Sequence, residues 1–226
     1  MGEYFDTSYF KGCYWKNGTL TTLLDTGFDT HAFGLYINGS DIYAVGYYDD
    51  GTHTAAVLWT PAGYTVLGPV GHNSYGKSAS LDGDNLLISG TIDGVPVVWS
   101  YNIVTTPVPP IAYTELPFVA ASNANVILVN GSDVYVAGED NDVPTYWLNS
   151  TTENNIASSG SDVGNTYGMA INGTDIYFVG AAANSIANLK PVYWKGGVKT
   201  ILNTGGSAVL GVATGIYIKN NDVYIS

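Results

Sequence analysis

The residues able to do chemistry in this chain are few and scattered. Its three histidines, His31, His53 and His72, fall at different places in the repeat described below, so no shared imidazole site is expected. Cys13, the single cysteine, lies two residues before Trp15 in a strand-like segment, where a packed, inert thiol is expected rather than a nucleophile. Carboxylates cluster at Asp49-Asp50 and at Glu139-Asp140-Asn141-Asp142, a composition that suits calcium. Neither has EF-hand spacing, and both read as solvated hairpin tips. A further aspartate recurs as Asp41, Asp133, Asp175 and Asp222, with Asn85 once in its place. This set could ring a channel around a cation, but a short carboxylate opening a strand is expected to accept backbone N–H groups of the turn before it. There remains a set of unlike polar residues at one repeat position, His31, Tyr75, Asn123 and Asn165, each just before an expected innermost strand. Different side chains at equivalent places suit one small ligand, and this is the preferred ligand site. No catalytic residue, metal or cofactor is expected.

The elements that position these residues follow from the tryptophans. Trp15, Trp59, Trp99, Trp147 and Trp194 fall 44, 40, 48 and 47 residues apart. Short strands and turns repeating in the forties are the pattern of a β-propeller, whose four-stranded blades bury their faces only against neighbours. The five tryptophans could be stacking platforms for sugars; one large aromatic per blade packing neighbouring blades together is the reading adopted, which makes them the structural repeat core.

The first complete repeat reads Gly34 to Ile37, the turn Asn38-Gly39, Asp41 to Gly46, a hairpin at Asp49-Asp50-Gly51, Ala55 to Trp59, and Tyr64 to Leu67. Asn-Gly is expected to make a tight hairpin because both residues tolerate positive φ. The second repeat runs from Ser78 to Trp99, and four prolines (Pro107, Pro109, Pro110, Pro117) then confine its exit to an edge strand and a longer loop. The third and fourth repeats carry the same phase through Asp133 to Gly138 and Asp175 to Gly180. The fifth is split across the termini. Asp222 to Ser226 stops one residue short of the repeat glycine, Gly2 supplies it, and Trp15 and Thr19 to Leu24 complete the blade.

The expected fold is therefore all-β: one five-bladed β-propeller domain with four-stranded antiparallel blades of about 45 residues, closed by N- and C-terminal segments sharing one blade. The repeats fall at about residues 25–68, 69–116, 117–157, 158–203, and 204–226 plus 1–24. Met1 stands outside the phase, as expected of a module excised from a longer repeat array or of an engineered chain; a natural protein whose ends fall there is the competing account.

Composition narrows the function classes. A formal charge of −12, with seven lysines and no arginine, argues against nucleic acid, whose affinity for proteins comes from basic residues. The apolar runs are too short for a membrane span, and no signal peptide follows Met1. Sequons at Asn17, Asn38, Asn130, Asn149 and Asn172 are mostly Asn-Gly turns followed by Ser or Thr. A monomer is expected, extracellular or at a cell surface in its parent protein.

The repeated Asn-Gly-Ser/Thr-Asp-Ile/Val-Tyr-x-x-Gly followed by Tyr-Trp-Lys-x-Gly resembles the propeller repeats of secreted or surface proteins of bacteria, over nearly the whole chain. It shares the architecture of WD40 repeats but lacks their Trp-Asp dipeptide and Gly-His signature. In blade number it is similar to the tachylectin-type five-bladed lectins, whose sugar sites lie between blades. The resemblance implies a non-enzymatic binding or scaffold module with carbohydrate or protein as partner. Its alternatives are a lectin with repeated sites between blades and a hydrolase or lyase at the channel mouth.

Overall fold

The computed structural model describes residues 1–23, 27–105, 111–156, 162–183, 188–205 and 210–226. Two compact units divide the chain between Glu115 and Leu116, at a repeat boundary.

The first unit holds three antiparallel sheets. The first is β1 (Gly2–Phe5), β2 (Phe10–Lys16) and β3 (Thr19–Thr22). The second is β4 (Asp29–Asn38), β5 (Asp41–Asp49), β6 (Thr54–Thr60) and β7 (Gly63–Val66). The third is β8 (Ser74–Asp82), β9 (Asn85–Ile92), β10 (Val95–Asn102) and β11 (Tyr113–Glu115). The second unit holds β12 (Ser122–Asn130), β13 (Asp133–Asp140), β14 (Val143–Leu148) and β15 (Thr152–Asn155) in one sheet. A second sheet has β16 (Val163–Asn172), β17 (Asp175–Ala183), β18 (Lys190–Lys195) and β19 (Val198–Ile201), and a hairpin has β20 (Ile216–Lys219) and β21 (Asp222–Ile225). In the four-stranded sheets each strand pairs with the next in sequence, as short hairpins dictate. Pro107, Pro109 and Pro110 lie outside the described residues, as does Leu24.

Two turn chemistries recur in the sheets. Between the first and second strands Gly39, Gly83, Gly131 and Gly173 take φ of 61, 57, 65 and 63°, and Asn38, Asp82, Asn130 and Asn172 are the last strand residues before them. Glycine alone at the first corner is the type II′ arrangement, with Ser or Thr commonly second. The Asn-Gly reading is corrected here: asparagine stays in the strand and only glycine turns. The second-to-third hairpins Asp93-Gly94 and Asn141-Asp142 have positive φ at both corners, as type I′ requires.

In the four-stranded sheets the second and third strands are mostly buried and carry the core, while the fourth strands β11, β15 and β19 are short and exposed, which blunts their edges. Trp59, Trp99, Trp147 and Trp194 are 2, 0, 0 and 0 % exposed. Three of them share a hydrophobic cluster with residues in or just after the preceding sheet: Trp59 with Leu23, Trp99 with Tyr43 and Leu58, and Trp194 with Tyr146 and Ile156. Trp15 departs from the expected core role, being 51 % exposed. Cys13, by contrast, is fully buried, and burial holds its thiol above the usual range.

Candidate functional site

The first strand of every four-stranded sheet contains one extra residue. The register slips between Ala32 and Gly34, Gly76 and Ser78, Ala124 and Val126, and Thr166 and Gly168. The inserted residues are Phe33, Lys77, Asn125 and Tyr167. A β-bulge re-aims the side chains around it, and this one recurs at a single position. The repeat glycine is what admits it. A Cβ on Gly46, Gly90, Gly138 or Gly180 would stand 1.8, 1.9, 1.8 or 2.0 Å from the carbonyl oxygen of His31, Tyr75, Asn123 or Asn165. The four expected ligand residues are thus the ones whose carbonyls press on the repeat glycines. They lie inside the first strands rather than before them, because those strands continue through the bulge to Asp29, Ser74, Ser122 and Val163.

In the first unit His31 and Tyr75 come together through a residue that sequence reasoning passed over. Tyr47 lies directly across from His31 and stacks on it at 4.6 Å, while its ring meets Tyr75 edge-on at 4.9 Å. Burial raises the Tyr47 phenol above its usual range, and Tyr75, Glu3, Asp49 and Asp29 add to this. His31 Nδ1 lies 2.5 Å from Glu3 Oε2, and the Phe10 ring lies 5.7 Å from the imidazole. Lys77 places its ammonium 4.3 Å from the Phe33 ring centroid and 5.4 Å from that of Tyr75. Burial holds this ammonium below the usual lysine range.

In the second unit Asn123 donates from Nδ2 to Glu139 Oε1 at 2.5 Å, and the Asp142 N–H donates to Glu139 Oε2 at 2.8 Å. Asn125 donates from Nδ2 to Asn165 Oδ1 at 2.7 Å and to the Thr166 carbonyl at 3.1 Å. Burial pushes the Glu139 carboxyl up against these donors, with Asp142 and Asp140 adding repulsion. The Tyr167 phenol is raised by burial and by Glu139. Here the acidic-loop expectation is corrected. Glu139 and Asp140 are strand residues only 6 and 4 % exposed, and only Asn141 and Asp142 form the tip. Asp140 is held by the Ser122 hydroxyl and the Val119 and Ala120 amides. Asp49 and Asp50 do form an exposed tip, and their carboxylates accept the N–H groups of Gly51, Thr52 and His53.

Two of the recurring aspartates meet side chains: Asp175 pairs with Lys195 at 2.8 Å, and Asn149 donates to Asp133. The missed signal was positional. Glu3, Tyr47, Thr91, Glu139 and Ala181 each follow a repeat glycine, and Tyr47, Thr91, Glu139 and Ala181 are the direct cross-strand partners of the four expected residues.

Each unit also has a cleft between successive sheets. One, of about 510 Å³, is lined by Tyr14, Leu23, Asp41, Ile42 and Gly63 among others. The other, of about 270 Å³, presents Tyr146, Ile156, Asp175, Ile176 and Gly197. Tyr14 and Tyr146 each precede a repeat tryptophan, and Asp41 and Asp175 each open a second strand, so this is one cleft used twice.

No protein-family model and no curated protein matches the chain. Solved structures do. A chain of a nidogen/laminin complex is similar at a TM-score of 0.55 and 12 % identity, covering 96 % of this chain and 81 % of that one. A prolyl endopeptidase is similar at a TM-score of 0.52 and 14 % identity over 88 % of this chain, which spans only 32 % of that one. At such identities the likeness concerns fold alone, and it supports a β-propeller.

Proposed function

We propose that the chain is a non-enzymatic binding or scaffold module built as a five-bladed β-propeller, with its ligand held by side chains at the recurring bulge. The observation carrying this is the contrast between frame and content. Glycine, bulge and turn repeat from sheet to sheet, while the residues displayed there change from His31 and Phe33 to Tyr75 and Lys77, Asn123 and Asn125, and Asn165 and Tyr167. A constant scaffold with a varied set of contacts suits one asymmetric ligand, and the described side chains pair ring with ring and amide with carboxylate rather than base with nucleophile. Protein is the partner favoured, since the nidogen/laminin likeness is to a chain in a protein complex. An extracellular setting and a monomeric state accord with this reading.

The fifth blade rests on register. Gly2 pairs with Cys13, two residues before Trp15, as Gly46 pairs with Val57 before Trp59 and Gly180 with Val192 before Trp194. At the other terminus the Thr214 and Gly215 N–H groups both donate to the Ser226 carbonyl, the start of the same bulge, and the next residue in phase is the glycine that Gly2 supplies. If the ring closes this way, Gly2→Ala destabilises as much as Gly46→Ala; a neutral Gly2→Ala counts against closure.

A second reading is favoured by the repeated cleft: a carbohydrate-binding lectin with equivalent sites between blades, Tyr14 and Tyr146 stacking on sugar and Asp41 and Asp175 accepting its hydroxyls. Glycan and peptide arrays probed with the protein and its variants separate the two. Loss of a hit on His31→Ala or Asn123→Ala, with Tyr146→Ala unaffected, supports the bulge site, and the reverse supports the lectin. Turnover of chromogenic ester or glycoside substrates in proportion to protein would overturn the non-enzymatic reading.

A further inference from the structure

Among the four bulge residues of the complete sheets, Lys77 is the one cation. Lys11, Lys195 and Lys199 reach the carboxylates of Asp6, Asp175 and Asp162 at 2.9, 2.8 and 2.6 Å. Lys77 instead reaches the faces of Phe33 and Tyr75. Ring faces attract a cation, but they do not accept its three N–H donors as an oxygen does. Burial lowers its proton affinity, and among the described residues no carboxylate opposes this. In a chain with 19 acidic residues this half-buried ammonium has hydrogen-bonding capacity left over.

The surroundings define what would use it. Phe33 is 49 % exposed, so this cluster is open to solvent. Phe33 lies 5.7 Å from Tyr47, which meets Tyr75, giving a continuous apolar wall beside the ammonium. The two bulges abut: a Cβ on Gly34 would stand 2.7 Å from the Lys77 carbonyl, which fixes the two side chains relative to each other. One ammonium, without arginine and within a net charge of −12, suits a single negative charge and disfavours a phosphate dianion. Glu3, on the far side of His31, adds to that penalty.

We infer that the cluster of Phe33, Tyr75 and Lys77 receives a monocarboxylate carried on a ring or similarly flat body, the ammonium pairing with the carboxylate and the aromatic rings packing against the body. This rests on the bulge being the ligand site and adds the ligand's class. Such a carboxylate belongs equally to a peptide chain end and to an acidic sugar.

The test titrates N-acetylphenylalanine and glucuronic acid into the protein, observed by ligand-detected NMR, with N-acetylphenylalanine amide and glucose as uncharged controls. At least one acid binds tenfold or more tightly than its control, and the one that does identifies the source. Lys77→Met removes that preference, while Lys77→Arg retains part of it; Lys77→Gln takes the place of the Met variant should that fail to unfold cooperatively. Equal binding of acid and control, or a preference that survives Lys77→Met, overturns the inference. If neither acid binds while array ligands still weaken on His31→Ala, the carboxylate assignment falls and the bulge site stands. If His31→Ala has no effect either, both fall.

Discussion

Gly46→Ala tests the reason given for the repeat glycine. In an ordinary strand, alanine in place of glycine stabilises by about 0.4–1 kcal/mol, because the unfolded chain loses freedom. Here the new methyl would stand 1.8 Å from the His31 carbonyl oxygen and about 3.0 Å from the Ala32 Cα. Carbon meets a carbonyl oxygen at roughly 3.3 Å, so the two strands would have to part by about 1.5 Å. Both obstacles are backbone, and no rotamer change relieves them. Overpacking of a filled interior costs about 1–3 kcal/mol, and an immovable obstacle places this case at the upper end. After the unfolded-state gain, a net loss of about 2 kcal/mol remains. Urea unfolding followed by tryptophan fluorescence reads the change, since Trp59 lies buried in the same unit. Gly138→Ala, with Asn123 O at 1.8 Å, is expected to behave alike in the other unit. A loss below about 0.5 kcal/mol for both, the range of ordinary surface substitutions, refutes the bulge as the cause of the glycine.

The other predictions follow from burial. Trp99→Ala and Trp194→Ala each cost about 3–5 kcal/mol by chemical denaturation, whereas Trp15→Ala, at a half-exposed site, costs well under half of that. Cys13 is expected to resist iodoacetamide at pH 8 in the native protein and to react on unfolding, since its thiol is buried and held protonated; native labelling at the rate of a free thiol would contradict this. Glu139 gives a pH dependence of known sign. Its folded proton affinity is raised, so its contribution to stability is fully present below the unfolded carboxyl value and is lost as pH rises through the folded one. Glu139→Gln is therefore expected to flatten the fall in stability above pH 4, measured as urea midpoints from pH 4 to 8, and an unchanged slope would remove Glu139 as its source.

Much of the fold was written in local pattern. The turn glycines and the strand-opening aspartates are short-range signals, because two-residue turns and alternating burial are settled within a few residues of each other, and the tryptophans then repeat that pattern along the chain. That His31, Tyr75, Asn123 and Asn165 share one phase was legible for the same reason. Their partners were not. Tyr47 and Glu139 stand sixteen residues along the chain and become neighbours only through strand pairing, and Glu139 looks from sequence like part of an acidic loop.

The sequence by itself determined the all-β class, the repeat, its turns and the residues that vary within it, since each depends on backbone preferences and hydrophobic spacing. Tertiary structure decided which of those residues carry unusual chemistry. The bulge set Lys77 against two rings and Asn123 against a buried carboxylate, and burial then altered the protonation of Lys77 and Glu139. Desolvation depends on everything packed around a group, and most of that packing comes from segments far away in the chain.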